Sequence, residues 1–383
     1  MTAQVRRVDD YRVTIVAGEA SGDLLGAGLM RSLKKQLPSI QFIGVGGEAM
    51  TKEGLHSLLP MQDLAVMGLV EVLPRLPVLI RHINRVADET IRYQSNLLIT
   101  IDSPDFSFRV AQKVHAAGVP CVHYVSPHVW AWRGGRVRKM ATFLSHVLAL
   151  FPFEEAFYKQ TGLPCTFVGH PVSERLGALA PTGAEKPLSA TPKVALLPGS
   201  RKSEITRLWP VFQQAAAQVL AQYPSATFVV PLAPGMTPDD LPSTHPLPLS
   251  FVGGDARYAT LKSCDAALAA SGTANLELAM LGVPMVVAYR LAPLTYLLAK
   301  ALVKLAYFSP VNLVAGRGVV PEKLQGQANP QTMAAALLPL LADTSTRHAQ
   351  LLGLAEVREK LRSRGMAPSD RAAQVVITLL KSA

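Results

Sequence analysis

Residues 269–288, AASGTANLELAMLGVPMVVA, carry a run of small apolar residues through Ser271-Gly272-Thr273 straight into a helix pattern. A strand, a small-residue turn and a helix N-terminus in that order present backbone N–H groups to an anion. Thr273 and Glu277 stand one turn apart and so share a helix face. A hydroxyl and a carboxylate placed in this way suit a phosphate and the ribose diol of a nucleotide. A merely capped helix in an α/β sheet would show the same pattern. The balance is tipped by a second loop upstream, Leu196-Leu197-Pro198-Gly199-Ser200-Arg201. It too follows an apolar strand, and it adds a guanidinium suited to phosphate.

The rest of the chain repeats the same alternation. Buried-strand runs are expected at 13–17, 42–45, 97–101, 119–125, 147–150 and 166–168, with helical patterns between them. Gly18-Glu19-Ala20-Ser21-Gly22-Asp23 turns the first strand into a helix over 24–37, but it lacks the G-x-G-x-x-G dinucleotide fingerprint. The strand at 97–101 delivers Asp102-Ser103-Pro104-Asp105, and that at 119–125 delivers Ser126-Pro127-His128-Val129-Trp130-Ala131-Trp132-Arg133. Between 173 and 192 the pattern dissolves into Ala, Gly, Pro and Thr, a linker composition. Strands then resume at 194–197, 228–230, 249–252, 266–269 and 285–289, and a last amphipathic helix over 370–380 follows a Ser369 cap. This predicts an α/β protein of two doubly wound, Rossmann-like domains, with ligands in the cleft that faces the strand carboxyl ends. The boundaries expected are 1–172, a linker at 173–192, 193–365, and a terminal helix in 366–383.

Length supports the division, since 383 residues exceed what one core usually serves. A net charge of +11 suits anionic small molecules, anionic lipid or nucleic acid, but no block of like charge resembles a nucleic-acid tail. The three cysteines, Cys121, Cys165 and Cys264, are widely spaced and odd in number, which fits a reducing cytosol and neither a disulfide framework nor a zinc motif. The N-terminal apolar run is too short for a signal peptide, and no stretch of about 18 uncharged apolar residues occurs. A soluble or peripheral protein is therefore expected. Two segments depart from that picture. Residues 64–83, LAVMGLVEVLPRLPVLIRHI, are apolar but broken by Pro74 and Pro77, and residues 291–308, LAPLTYLLAKALVKLAYF, set Lys300 and Lys304 one turn apart among apolar neighbours. Either reads as a core helix alone; together with the basic balance they suggest a lipid-facing surface.

GEASGD, AVMGLVEVL, IDSPDF, HYVSPHVWAWR, LFPFE, FVGHP, LLPGSR, ASGTANLELAMLGVPMVV and NLVAGR occur in one order from residue 13 to about 380. Each motif is weak alone, but their joint order resembles the lipid-A-disaccharide synthase family, inverting glycosyltransferases of lipid A (lipopolysaccharide) biosynthesis. The resemblance implies a GT-B architecture. It implies transfer from UDP-2,3-diacylglucosamine to 2,3-diacylglucosamine 1-phosphate, giving the β-1,6-linked disaccharide 1-phosphate and UDP. It further implies no metal and no other cofactor, and a terminal helix that crosses back onto the N-terminal domain. One departure is visible: after Asn312-Leu313-Val314-Ala315-Gly316-Arg317 the family often carries an acidic residue, whereas Gly318 follows here.

On this reading Ser200 and Arg201 meet the donor diphosphate, with Ser271, Gly272 and Thr273 at the phosphates and Glu277 on the ribose. Asn312 is assigned to the donor, with a buried structural asparagine as its rival. Asp102 is the expected catalytic carboxylate, with Pro104 holding Ser103 extended; Glu19 and Asp105 are the alternatives. Ser21, Asp23 and Trp132 are expected on the acceptor side, although Asp23 also suits a helix start. Trp130 and Trp132 would share a face toward a sugar or acyl chain, or pack in the core. His123 and His128 rank below Asp102 as bases. Expected partners are the two lipid substrates and an anionic membrane surface, with no nucleic acid and with a homodimer left open. The expected location is cytoplasmic, on the face of the inner membrane. Two rival readings are a UDP-sugar 2-epimerase, which would not need the apolar 64–83 segment, and a non-catalytic two-domain binding protein, which would not need a base.

Overall fold

The computed structural model describes residues 10–64, 69–127, 135–233, 235–242, 245–254, 256–292, 296, 306–362 and 365–382, with only the helical course of the backbone given for 69–75. The chain forms two compact units, Met1–Pro171 with Arg362–Ala383, and Val172–Leu361.

The first unit is built on β1 (Arg12–Ala17), β2 (Gln41–Val45), β3 (His56–Ser57), β4 (Leu97–Ile101), β5 (Cys121–Tyr124), β6 (His146–Ala149) and β7 (Cys165–Phe167). They pair in parallel in the order β3-β2-β1-β4-β5-β6-β7. Every residue of β4 is buried, as a central parallel strand covered on both faces requires. Alternate residues serve opposite faces: Val13, Ile15 and Ala17 pack in one cluster, whereas Val16 packs with Val45 and Leu98 in the other. Because β1 is followed by β2 on one side and bordered by β4 on the other, the strand order reverses between β1 and β4. In open α/β sheets ligands bind beyond the strand carboxyl ends at such a point.

The terminal helix Pro368–Ser382 belongs to this first unit. It inserts Ala372, Ala373, Val376 and Leu380 beside Leu29 and Leu33 of the helix Ala20–Gln36, and Ser32 Oγ donates to Asp370 Oδ1 at 2.7 Å. The helix starts at Pro368, so Ser369 lies inside its first turn and is not its cap. Proline suits that first position because the N–H it lacks has no helical partner there.

The second unit holds β8 (Lys193–Leu197), β9 (Thr227–Pro231), β10 (Leu249–Val252), β11 (Ala266–Ala270), β12 (Met285–Tyr289) and β13 (Glu322–Leu324). Their parallel order is β10-β9-β8-β11-β12-β13, so this sheet reverses between β8 and β11.

Two expectations are corrected. The apolar segment does not break at its prolines: one helix, Leu69–Arg92, runs through Pro74 and Pro77. The other apolar segment, 291–308, falls mostly outside the described residues. The linker-like stretch begins with the helix Pro171–Leu176 and is then fastened along the second unit. Arg358 Nη2 donates to Gly183 O at 2.6 Å, Arg347 Nη2 to Lys186 O at 3.1 Å, and Ser189 N to Asp265 Oδ1 at 3.0 Å. Among the described residues no helix is long and apolar enough to cross a membrane.

Candidate functional site

In the first unit, β1 and β4 end side by side, with Ala17 opposite Ile101, so Gly18-Glu19 and Asp102-Ser103 leave the sheet as neighbours. Asp102 and Ser103 both adopt left-handed backbone, at φ 52° and 45°, a conformation that costs non-glycine residues about 1–2 kcal/mol each. This corrects the expectation that Pro104 holds Ser103 extended. Local bonds override it: Asp102 Oδ1 accepts from Ser103 N at 2.8 Å, and Ser103 O accepts from Phe106 N and Ser107 N. Ser107 Oγ also donates to Asp102 O at 2.7 Å. The turn presents a half-buried Asp102, while Asp105 is exposed on the following helix. Val125, at the end of β5, is also left-handed at φ 77°, rare for a β-branched residue. Two adjacent strand ends, those of β4 and β5, thus depart from ordinary backbone beside the switch point. Such departures collect at functional sites.

The other residues expected here differ in what they do. Glu19 is half-buried and is the cap residue of the helix Ala20–Gln36, and Ser21 is exposed in its first turn. Asp23, expected on the acceptor side, is committed to the fold instead. It is 6% exposed and accepts from Gly47 N, Ala49 N and Met50 N at 2.8–3.0 Å, which anchors the helix Glu48–Lys52. His123 is fully buried, with Nδ1 2.8 Å from Thr100 Oγ1. Burial, with Arg136 adding to it, pushes its pKa down to about 3, so the ring is neutral. His128, Trp130 and Trp132 lie outside the described residues.

In the second unit β8 and β11 end together, with Leu197 opposite Ala269. Gly199 is left-handed at φ 105°, and a Cβ there would lie 2.3 Å from Glu204 Oε2. Glycine is required because the Glu204 carboxylate folds back over the loop. That carboxylate accepts weakly from Ser200 N at 3.3 Å and Arg201 N at 3.4 Å, and Arg201, 67% exposed, meets its other oxygen at 3.5 Å. These are long bonds, easily exchanged for those of an incoming anion. Burial and Glu204 together push the Tyr289 hydroxyl up, opposed by Arg201 and Arg207. The loop is cationic and carries its own provisional anion.

Across from it, Ser271 Oγ donates to Phe308 O at 2.8 Å, Thr273 is exposed, and Gly272 N donates to Asn275 Oδ1 at 3.1 Å. Asn275 is fully buried and also donates to Ala270 O, so it fixes the turn; the sequence reading missed it. Glu277 is held by two guanidinia, Arg175 Nη2 at 2.6 Å and Arg257 Nη2 at 2.7 Å, with Tyr258 OH at 3.2 Å. Two cations against one carboxylate leave the cluster positive, which suits an anionic nucleotide. Asn312, assigned to the donor, is instead internal. Its Oδ1 accepts from Val319 N and Val320 N, and its Nδ2 donates to Val320 O and Glu322 Oε1, which uses its whole hydrogen-bonding capacity. Arg317 pairs with Glu356 at 2.7 Å on the surface. Among the described residues no three His, Cys, Asp or Glu side chains are placed to share a metal ion.

Among solved structures, the chain is similar to the glycotransferase of kitacinnamycin at TM-score 0.65 and 16% identity, covering 97% of this chain and 99% of that one. It is similar to the UDP-GlcNAc 2-epimerase of Neisseria meningitidis, bound to UDP-GlcNAc, at TM-score 0.60 and 13% identity, covering 97% and 100%. At such identities the likeness is one of fold. Sequence relatives are far nearer. The lipid-A-disaccharide synthase of Pseudomonas aeruginosa is 48% identical over 88% of this chain and 91% of its own length. That of Rhodospirillum centenum is 42% identical over 96% and 94%. Residues 13–376 match the family model described as lipid-A-disaccharide synthetase. With two switch-point sheets and motifs in family order, this chain belongs to the lipid-A-disaccharide synthetase family.

Proposed function

We propose that the chain transfers 2,3-diacylglucosamine from UDP to the 6-hydroxyl of 2,3-diacylglucosamine 1-phosphate, with Asp102 as the base. The acceptor oxygen bonds to the anomeric carbon as the bond from that carbon to the diphosphate oxygen breaks. The acceptor proton passes to the Asp102 carboxylate, and UDP leaves as the anion. A positioned carboxylate contributes roughly 10²–10⁴-fold to such a step. Arg201 and the Ser200–Arg201 N–H groups exchange Glu204 for the leaving diphosphate, with Ser271, Gly272 and Thr273 beside it. Glu277 accepts from the ribose hydroxyls.

The observation that carries this reading is the left-handed pair Asp102-Ser103, which sets a half-buried carboxylate at the β1/β4 switch point. Glu19, on the neighbouring turn, is the alternative base. The enzyme works at the cytoplasmic face of an anionic membrane, where Leu76, Val78 and Ile80, each 37–45% exposed, and the exposed Arg81 and Arg85 offer apolar and cationic contacts.

Defined UDP-diacylglucosamine, supplied with and without acceptor and followed by mass spectrometry, should give disaccharide and UDP only when both are present. An epimer without acceptor would reject the transfer. Asp102→Asn should lose at least a hundredfold in turnover while UDP affinity and melting temperature hold. Near-normal turnover would pass the role to Glu19.

A further inference from the structure

Beyond the nucleotide loops, the second unit carries a pocket of about 460 Å³ lined by Thr206, Arg207, Pro210, Val211, Arg290 and Leu291, with Gln325 and Gly326 at its side. Its wall on one side is the helix Lys202–Gln222, on which Arg207 and Val211 stand one turn apart, as do Thr206 and Pro210. The opposite wall consists of the residues that leave the carboxyl ends of β12 and β13.

These walls are fixed. Gln325, left-handed at φ 53°, accepts from Leu291 N through Oε1 at 2.7 Å and donates to Leu291 O through Nε2 at 3.2 Å. One amide side chain therefore staples the β12 exit to the β13 exit and holds Arg290 beside the pocket. Arg207 is steadied by its Nη1 bond to Ser203 O at 3.0 Å. Both arginines are half-buried, and among the described residues neither has a carboxylate at ion-pair distance. Two partly desolvated guanidinia thus line one pocket, with fork geometry matched to phosphate oxygens and, among the described residues, no ion pair to either. Pro210, Val211 and Leu291 make the remaining surface apolar, and Leu291 opens the apolar segment 291–308. A lining with two cationic and three apolar side chains fits an amphiphile.

We infer that this pocket is a second anion site, in which Arg207 and Arg290 bind the phosphate of a lipid headgroup. None of its lining residues belongs to the donor loops, although its helix wall starts directly after Arg201. It rests on the proposed lipid-bound function only in choosing lipid over free phosphate as the source.

The test uses the full chain and vesicles of phosphatidylglycerol or phosphatidylcholine at low salt, and reads the ratio of the two binding constants. The double variant Arg207→Gln with Arg290→Gln should lower that ratio about tenfold or more, while UDP affinity is unchanged. Arg207→Lys with Arg290→Lys should keep an intermediate ratio, and it substitutes if the glutamine pair misfolds. Leu76, Val78 and Ile80 changed together to Ser should weaken both vesicle types alike and leave the ratio intact. That separates apolar insertion from headgroup binding. A ratio within twofold of wild type in a folded glutamine or lysine pair overturns the proposal. So does a pocket that binds inorganic phosphate as tightly as it binds phosphatidylglycerol vesicles, which would make it a free-anion site. Turnover is not the readout, so failure of the glycosyl-transfer reading would show separately, as absent disaccharide.

Discussion

Arg175 donates to Glu277 Oε1 at 2.6 Å, while Arg257 holds the other carboxylate oxygen at 2.7 Å. Tyr258 also reaches Oε1, so three of about four acceptor positions are filled. A ribose diol needs two. Arg175, half-exposed where Arg257 is 19% exposed, is the partner that yields. Arg175→Gln should therefore bind uridine more tightly, by about 0.5–1 kcal/mol, the scale of a partly exposed ion pair. UDP should show no such gain, because the displaced guanidinium no longer serves the diphosphate. Calorimetry with both ligands decides it; equal gains for uridine and UDP would mean that Arg175 never turns to phosphate.

Glu277→Ala and Arg201→Ala should both weaken UDP binding by about 1.5–3 kcal/mol, the value of a charge-assisted hydrogen bond. Their stabilities should differ. Arg201 is 67% exposed, so its loss should leave urea unfolding unchanged within about 0.5 kcal/mol. Loss of Glu277 strands Arg257, whose buried Nε already has no hydrogen-bond partner among the described residues, and should cost about 3–5 kcal/mol. Unchanged UDP affinity in both variants would show the donor site to lie elsewhere.

His123 makes acid stability measurable. Thr100 Oγ1 donates to Val122 O at 3.3 Å, so the histidine's Nδ1–H donates to Thr100, and among the described residues the buried Nε2 has no hydrogen-bond partner. Its folded pKa, about 3, lies below the unfolded value of roughly 6.5. The unfolded chain therefore binds the extra proton between those values. This contribution is intact above about pH 6.5 and is lost as pH falls toward 3, amounting to about 2 kcal/mol by pH 5. His123→Asn keeps a donor at the Nδ1 position but cannot titrate. Its melting temperature should fall less between pH 7 and pH 5 than that of wild type. Parallel pH profiles would mean that His123 is protonated in the native state.

Arg347 should be among the least replaceable side chains. It is 1% exposed and donates to Asp265 O at 2.9 Å, to Lys186 O at 3.1 Å and to Leu340 O. One guanidinium thereby ties the strap after residue 176 to the start of β11. Arg347→Met fills the volume but leaves three carbonyls without this donor, at a cost of about 3 kcal/mol or more. Limited proteolysis should then cut within 181–192 faster than in wild type. Unaltered cleavage would show that Arg358 and Asp265 hold the strap without it.

The legibility of the fold follows from where the information lies along the chain. β4 and β12 fall at 97–101 and 285–289 as their apolar runs predict, because strands buried on both faces read as near-continuous apolar runs. β3 and β13 are illegible by the same logic. His56–Ser57 and Glu322–Leu324 are short edge strands, defined by pairing with β2 and β12 and by no pattern of their own. Glu277 is visible as a carboxylate after a glycine turn, but Arg175 meets it across 102 positions, and no local pattern foretells that. Asp23 and Asn312 carry the opposite lesson. Polar residues beside ligand-like turns look functional in sequence, yet buried backbone N–H groups claim them first. The left-handed Ser103 was masked by Pro104, whose local bias toward extended backbone yields to the bonds of the helix that follows.

That turn supports the sharpest test. A Cβ at Gly18 would lie 2.3 Å from Ser103 Oγ and 2.8 Å from Ser103 Cβ. Gly18 is therefore bare so that the β4 turn can close against the end of β1. Gly18→Ala should push Ser103 away and swing Asp102 with it, costing about 1–3 kcal/mol of stability through overpacking and lowering turnover more than UDP affinity. Ser103→Gly alone should stabilise the fold by up to about 1 kcal/mol, since glycine bears the left-handed backbone without strain. Combined, the two changes remove the clash by exchanging which side of the contact carries the Cβ. The double variant should recover most of the turnover lost by Gly18→Ala. Recovery of stability without recovery of turnover would mean that this contact shapes the fold alone, and that Asp102 does not take its position from it.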